Sequence, residues 1–196
     1  MKKQPEVTAQ TRRKLMDSFW QLYCDKGMSN VTVGSLTRMA GFNRSTFYEY
    51  FTDIYDLLET LEDELLADLE TRMESRFKEG FPDNFTEFSR SCAQIFSAYD
   101  DKIYILLSNR GDPGFHAKLK QKVEPVLLKN FGFSITEPYL EYMITFAFSA
   151  MIGMLNLWYE NGKEMSIETL FQIMQSLVAN GVLGVTKKTP FEHGTE

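Results

Sequence analysis

The chain has 196 residues, 21 Lys/Arg against 27 Asp/Glu for a formal charge of −6, two cysteines and two histidines. Two isolated cysteines, Cys24 and Cys92, suit a reducing cytosol better than a disulfide framework. There is no Gly-rich phosphate loop, His-Glu-x-x-His or Cys-x-x-Cys, and His116 and His193 stand far apart, so no catalytic, metal or cofactor site is expected.

The charge is unevenly placed. Residues 1–51 hold eight Lys/Arg against four Asp/Glu, and the remaining 145 hold thirteen against twenty-three. An acidic protein with a cationic front end is expected where that end touches polyphosphate and the rest stays in solvent. The N-terminus lacks the apolar core of a signal peptide, which points to the cytoplasm.

In chain order, the first predicted helix covers residues 11–26, where Leu15, Phe19, Leu22 and Tyr23 fall on one face and Gly27 can end the run. Arg12, Arg13 and Lys14, with Lys2 and Lys3 upstream, suit backbone phosphates or an ordinary solvated face. Thr32 can cap a short helix starting at Val33, with Leu36 and Ala40 on its inner side. Gly41 can take the left-handed turn that stops it. Asn43 then caps a second short helix, whose Phe47 and Phe51 share an inward side while Ser45 and Glu49 lie opposite. That leaves Arg44, Ser45, Thr46 and Tyr48 near the outer tip of the last helix, where a recognition helix meets base edges. A glycine-turned helical pair is also common in proteins that never touch DNA. The preceding helix and the local charge favour the DNA reading.

From Asp53 a long helix follows, with Leu57, Leu58, Leu61, Leu65 and Leu69 on one face and Glu59, Glu62, Asp63, Asp68 and Glu70 on an acidic opposite face. The breaker cluster Gly80-Phe-Pro-Asp83 ends it. Further helices are expected at about 84–99, 102–109, 115–130, 137–161 and 166–183. No strand pattern competes, so the chain reads as all-α: a three-helix helix-turn-helix unit at 1–52, then a helical bundle at 53–196. Residues 142–159 carry no charge and approach membrane-spanning length, but Thr145, Ser149, Asn156 and small residues dilute them and no basic cluster flanks them. The expectation is no membrane span. It is a helix buried deeply, or on one side by its own subunit and on the other by a second copy. The final helix, with Leu170, Ile173, Met174, Leu177 and Leu183, offers another apolar stripe.

Residues 8–60 resemble the DNA-binding domain of the TetR family of bacterial transcriptional repressors, most specifically in 40–51, Ala-Gly-Phe-Asn-Arg-Ser-Thr-Phe-Tyr-Glu-Tyr-Phe. The stretch from Leu106 through Gly162 resembles the C-terminal domain of one Gram-positive subset of that family. The resemblance implies that Arg44 and Ser45 face bases, Arg44 donating to guanine O6 and N7. It implies phosphate contacts for Thr32, Thr46 and Tyr50, and packing of Tyr48 against bases or backbone. Three positions depart from the pattern. Gly34 replaces a frequent base-reading arginine, Ile54 replaces a phosphate-binding lysine, and Glu49 stands where histidine is common.

The resemblance further implies a homodimer joined through the 142–159 and final helices, which would space two recognition helices about 34–36 Å apart on a palindromic double-stranded DNA operator. It implies a small-molecule effector held in the body that shifts this spacing. Phe88, Cys92, Phe96, Tyr104, Tyr142, Phe146 and Trp158 are candidate pocket residues, although aromatic stripes of this kind are as readily ordinary core. Tyr99, Met151 and Met154 belong to the same crowd, and Asn109, Arg110 and His116 are possible polar orienters. The function expected is a repressor released by an inducer. The alternatives are a co-regulator or activator whose C-terminal domain binds a partner protein, and a helical cytosolic enzyme or carrier.

Overall fold

The computed structural model describes residues 5–78, 85–99, 101–108, 111–131 and 140–180. Lys2, Lys3, the 80–83 cluster, Asn109, Arg110, Leu183 and His193 lie outside them, as do the outermost residues expected in the last two helices.

Helix α1 (Pro5–Lys26) begins six residues earlier than the periodicity suggests. Pro5 supplies a preset backbone angle at the first helical position, and Glu6 complements the positive end of the helix. A 3-10 turn at Met28–Asn30 leads to α2 (Val33–Ala40) and α3 (Arg44–Tyr48). Leu15, Phe19, Leu36, Ala40 and Phe47 are completely buried where these three helices meet. Phe19 stacks on Tyr23 at 5.7 Å and Phe47 tilts onto Phe51 at the same separation.

Helix α4 (Ile54–Arg76) starts on Asp53, whose carboxylate accepts from the N–H groups of Tyr55 and Asp56 at 2.8 and 2.9 Å. Its 23 residues extend roughly 34 Å from the head into the body. There it packs against α5 (Phe85–Ser97) and α7 (Phe115–Phe131). Helices α6 (Lys102–Leu107), α8 (Leu140–Glu160) and α9 (Ile167–Asn180) complete the bundle, with α5 against α9, α6 against α7 and α8, and α8 against α9. Every regular element among the described residues is helical, so the fold is all-α with an N-terminal helix-turn-helix.

The acidic face expected of α4 needs one correction. Glu62 lies in the buried stripe with Leu58, Leu66, Leu69 and Met73, and it is fully buried. The compensating charge comes from α7, where Lys118 donates to Glu62 Oε2 at 2.8 Å; Glu62 Oε1 has no partner. Burial raises the Glu62 carboxyl above its ordinary range despite the hydrogen bond and charge of Lys118. Burial pulls the Lys118 ammonium down, but its bond to Glu62 and that carboxylate's charge outweigh this and leave it raised. A second α4–α7 pair joins Glu70 to Lys122 at 2.9 Å, while Asp68 accepts from Arg72 at 2.7 Å and from the Tyr99 hydroxyl at 2.9 Å. Only Glu59 and Asp63 of the expected acidic row lie on the open surface without such a link.

Helix α8 is long and apolar enough to cross a membrane by length and composition, yet only 22% of its most apolar window is buried within the subunit. Its inner side carries Phe148, Ile152, Leu155 and Trp158 into the core. Its outer side leaves Tyr142 76%, Phe146 60% and Leu157 59% exposed. Ile173 and Leu177 of α9 are exposed as well. Deep burial on all sides within one subunit is therefore not the arrangement.

Candidate nucleic-acid interface

The head presents α3 through two nested capping arrangements. Thr32 Oγ1 accepts from the Ser35 N–H at 3.1 Å, and Ser35 Oγ accepts from the Thr32 N–H at 3.0 Å. This is a capping box in which serine fills the place usually held by Glu or Gln, so α2 starts at Val33. Gly41 stops it at φ 75°, a left-handed angle that a side chain would strain. Asn43 then restarts the helix, its Oδ1 accepting from the Thr46 N–H at 2.9 Å. The same oxygen accepts from the Ser45 hydroxyl at 2.7 Å and the Thr46 hydroxyl at 2.9 Å. Both hydroxyl protons thus turn inward, leaving the oxygen lone pairs of Ser45 and Thr46 to face outward as acceptors.

Phe47 anchors α3 by its full burial, which orients the other residues of this single short helix. Arg44 and Ser45 are exposed, Thr46 is half-buried, and Tyr48 is 58% exposed with its ring edge-on to Phe47 at 5.4 Å. Thr32 is exposed beside α3, and Tyr50 is half-buried against the core. Five of the six candidate DNA residues thus cluster on or directly after α3, and Thr32 joins them from the start of α2. Glu49 is exposed on the same short helix's end, and Ile54 is buried under the head, where a lysine could not sit without losing its hydration.

The cations of α1 are more engaged than their spacing suggests. Arg12 donates to Glu64 Oε1 of α4 at 2.6 Å and lies 5.7 Å from the centre of the Phe51 ring. Lys14 sits 5.4 Å from the Phe42 ring centre. Arg13 is exposed. An intramolecular carboxylate therefore competes with phosphate for Arg12.

The candidate pocket residues of the body are not gathered into one chamber. Cys92, Phe96, Tyr104 and Trp158 are buried, with Phe96 against Phe171 at 5.7 Å and Tyr104 edge-on to Trp158 at 5.2 Å. Trp158 Nε1 donates to the Met165 carbonyl at 2.8 Å, which satisfies its one polar atom inside the core. Phe88 is half-buried against Phe77, 5.5 Å away. Tyr142 and Phe146 instead line an open groove on the outer face of α8 with Glu141, Thr145 and Ser149. His116 lies in a second open groove between α7 and α8, formed with Lys120, Phe148, Ile152 and Gly153. Among the described residues no three His, Cys, Asp or Glu side chains come together to hold a metal ion.

A capped α2, a left-handed glycine turn and an α3 held by one buried aromatic define a helix-turn-helix protein, with its polar tip open to a ligand. Comparison with known families agrees. Residues 15–61 match the model described as "Bacterial regulatory proteins, tetR family", and residues 83–180 match a "Transcriptional regulator C-terminal region". Among solved structures, the fatty acid degradation regulator FadR from Bacillus halodurans superposes with a TM-score of 0.69 at 17% identity, over 93% of this chain and 98% of that one. A TetR transcriptional regulator from Streptococcus agalactiae 2603V superposes with a TM-score of 0.65 at 25% identity, covering 88% and 96%. FadR from Bacillus subtilis in complex with stearoyl-CoA gives 0.64 at 16% identity, covering 86% and 98%. No curated protein matches the sequence. The chain belongs to the TetR family and is a DNA-binding transcriptional regulator.

Proposed function

We propose that this regulator is a cytoplasmic repressor that binds a palindromic operator as a homodimer, with residues 1–52 as the reading head and 53–196 as the dimerising, effector-binding body. The observation that carries the reading is the open tip of α3, where Arg44, Ser45 and Tyr48 are exposed around a fully buried Phe47. Arg44 donates to guanine, Ser45 meets a neighbouring base, Tyr48 packs on bases or backbone, and Thr32, Thr46 and Tyr50 take phosphates. The second copy is proposed to cover the outer side of α8 and α9, because Tyr142, Phe146, Leu157, Ile173 and Leu177 expose a continuous apolar face there. No catalytic role is proposed.

The effector is proposed to be an amphipathic small molecule. The fold likeness to a regulator bound to stearoyl-CoA supports that class. So does the groove between α7 and α8, about 440 Å³, where Lys120 and His116 stand beside the apolar side chains of Phe148 and Ile152. Of the seven pocket residues proposed from sequence, Phe96, Tyr104 and Trp158 form the core on which these helices move. Gel-shift titration with genomic fragments at graded salt tests the reading. Sequence-selective, salt-sensitive binding that long-chain acyl-CoA weakens is expected. Absence of selective binding overturns the repressor reading, whereas selective binding untouched by acyl-CoA overturns the effector class alone.

A further inference from the structure

Gly34 is the one residue of α2 at odds with its surroundings. It occupies the second helical position, where glycine costs more backbone entropy than any other residue. Its backbone is helical, so no left-handed angle requires it. The space around it explains the choice. A methyl group built on Gly34 would stand 2.8 Å from Arg44 Nη2 and 3.6 Å from both Cζ and Nε of the same guanidinium. The Arg44 side chain therefore lies flat across the bare Cα of α2, at the junction where both short helices present their starts. No hydrogen bond or ion pair to another described residue holds Arg44 there. Its placement rests on the room that Gly34 leaves.

We propose that Gly34 is a specificity-determining position, acting as the seat that orients the Arg44 guanidinium for base reading. The proposal rests on the reading of Arg44 given above. An arginine is long and rotamer-rich, and reading a base edge with two parallel hydrogen bonds requires its fork to be held at one angle. The bare Cα supplies a flat support that restricts the fork without satisfying its donors, which remain available to guanine. A side chain at 34 would displace the fork at little cost to the fold, because the clashing atoms are the far end of a flexible side chain. Placing a second arginine at 34 would add like-charge repulsion in the same space. One arginine seated on glycine therefore serves where two helices could each have supplied a reader.

The test compares wild type, Gly34→Ala, Arg44→Ala and the double variant, by fluorescence anisotropy on a selected operator duplex and on duplexes with each half-site base pair exchanged. Arg44→Ala is expected to weaken binding by about 5- to 150-fold and to flatten preference at one base pair per half-site. Gly34→Ala is expected to flatten preference at that same base pair and weaken binding several-fold, with a melting temperature equal to or above wild type because alanine favours helix. In the Arg44→Ala background the alanine at 34 should change affinity less than about twofold. A Gly34→Ala protein with unchanged base preference beside a weakened Arg44→Ala protein overturns the seat while leaving Arg44 as reader. Equal losses from Gly34→Ala in both backgrounds would also overturn it, since the glycine would then act on DNA directly. An Arg44→Ala protein indistinguishable from wild type refutes the base-reading role itself.

Discussion

Replacing Lys118 by Met should destabilise the protein in a strongly pH-dependent way. Glu62 is fully buried in the α4 stripe, and its one partner is the Lys118 ammonium at 2.8 Å; the other carboxylate oxygen has none. Methionine keeps much of the apolar stem and removes the charge, leaving a buried carboxylate uncompensated. Such losses cost about 3–5 kcal/mol. Proton uptake sets a ceiling, since the carboxyl can neutralise itself at about 1.36 kcal/mol for each unit between its ordinary value and the ambient pH. With an ordinary value of 4.5, that ceiling is about 5 kcal/mol at pH 8 and under about 1 kcal/mol at pH 5. A carboxyl whose folded value is raised gives its full stability below the ordinary range and loses it as pH climbs through the raised value. The variant should therefore melt roughly 6–16 °C below wild type at pH 8 and within about 4 °C of it at pH 5, as followed by circular dichroism. Adding Glu62→Gln to the variant should restore most of the loss at pH 8. A deficit that is the same at both pH values, or one under about 1 kcal/mol at pH 8, would refute the assignment of Glu62 as a buried ion that Lys118 stabilises.

Three further outcomes are expected. Glu64→Gln should leave stability within about 0.5 kcal/mol, because the Arg12–Glu64 pair is half-exposed, while freeing Arg12 for phosphate; operator affinity should rise a few-fold with a salt slope steeper by about one phosphate, and an unchanged slope would contradict the competition. Phe146→Glu should convert a dimer to a folded monomer in light scattering and reduce operator binding at least about tenfold, since a carboxylate would interrupt the exposed α8 face; a variant that stays dimeric would place the interface elsewhere. Burial pushes the Cys92 thiol up to about 12, so a thiol reagent at pH 8 should modify half-buried Cys24 well before Cys92, and equal rates would mean that the α5 core opens readily.

Much of the head is legible in the residues because its signals are local. Thr32, Gly41 and Asn43 act on backbone groups within a few positions of themselves, and the helix bounds at Val33 and Ala40 follow from them. The earlier start of α1 was also available, in Pro5 and Glu6 as a first-turn pair. What escaped depends on partners distant in sequence. Glu62 reads as solvated until its spacing from Leu58, Leu66 and Leu69 is set beside the approach of Lys118, 56 residues later. Arg12 reads as a phosphate ligand until α4 brings Glu64 to it, 52 residues on. Gly34 reads as a missing contact until the Arg44 side chain is found across it. In the body, composition separates neither core from surface nor core from pocket. The aromatic crowd divides by which side of α8 a residue occupies, so Trp158 is buried while Tyr142 and Phe146, on the same helix, face outward.

Selection from a pool of random DNA duplexes, run in parallel on the wild-type protein and on Arg44→Ala, tests the central claim most directly. The account predicts enrichment of a two-fold symmetric site with half-sites one helical turn apart, and loss of a single guanine preference per half-site in the variant. Enrichment of no common sequence by the wild type, or of the identical site with the identical guanine by both proteins, would contradict it.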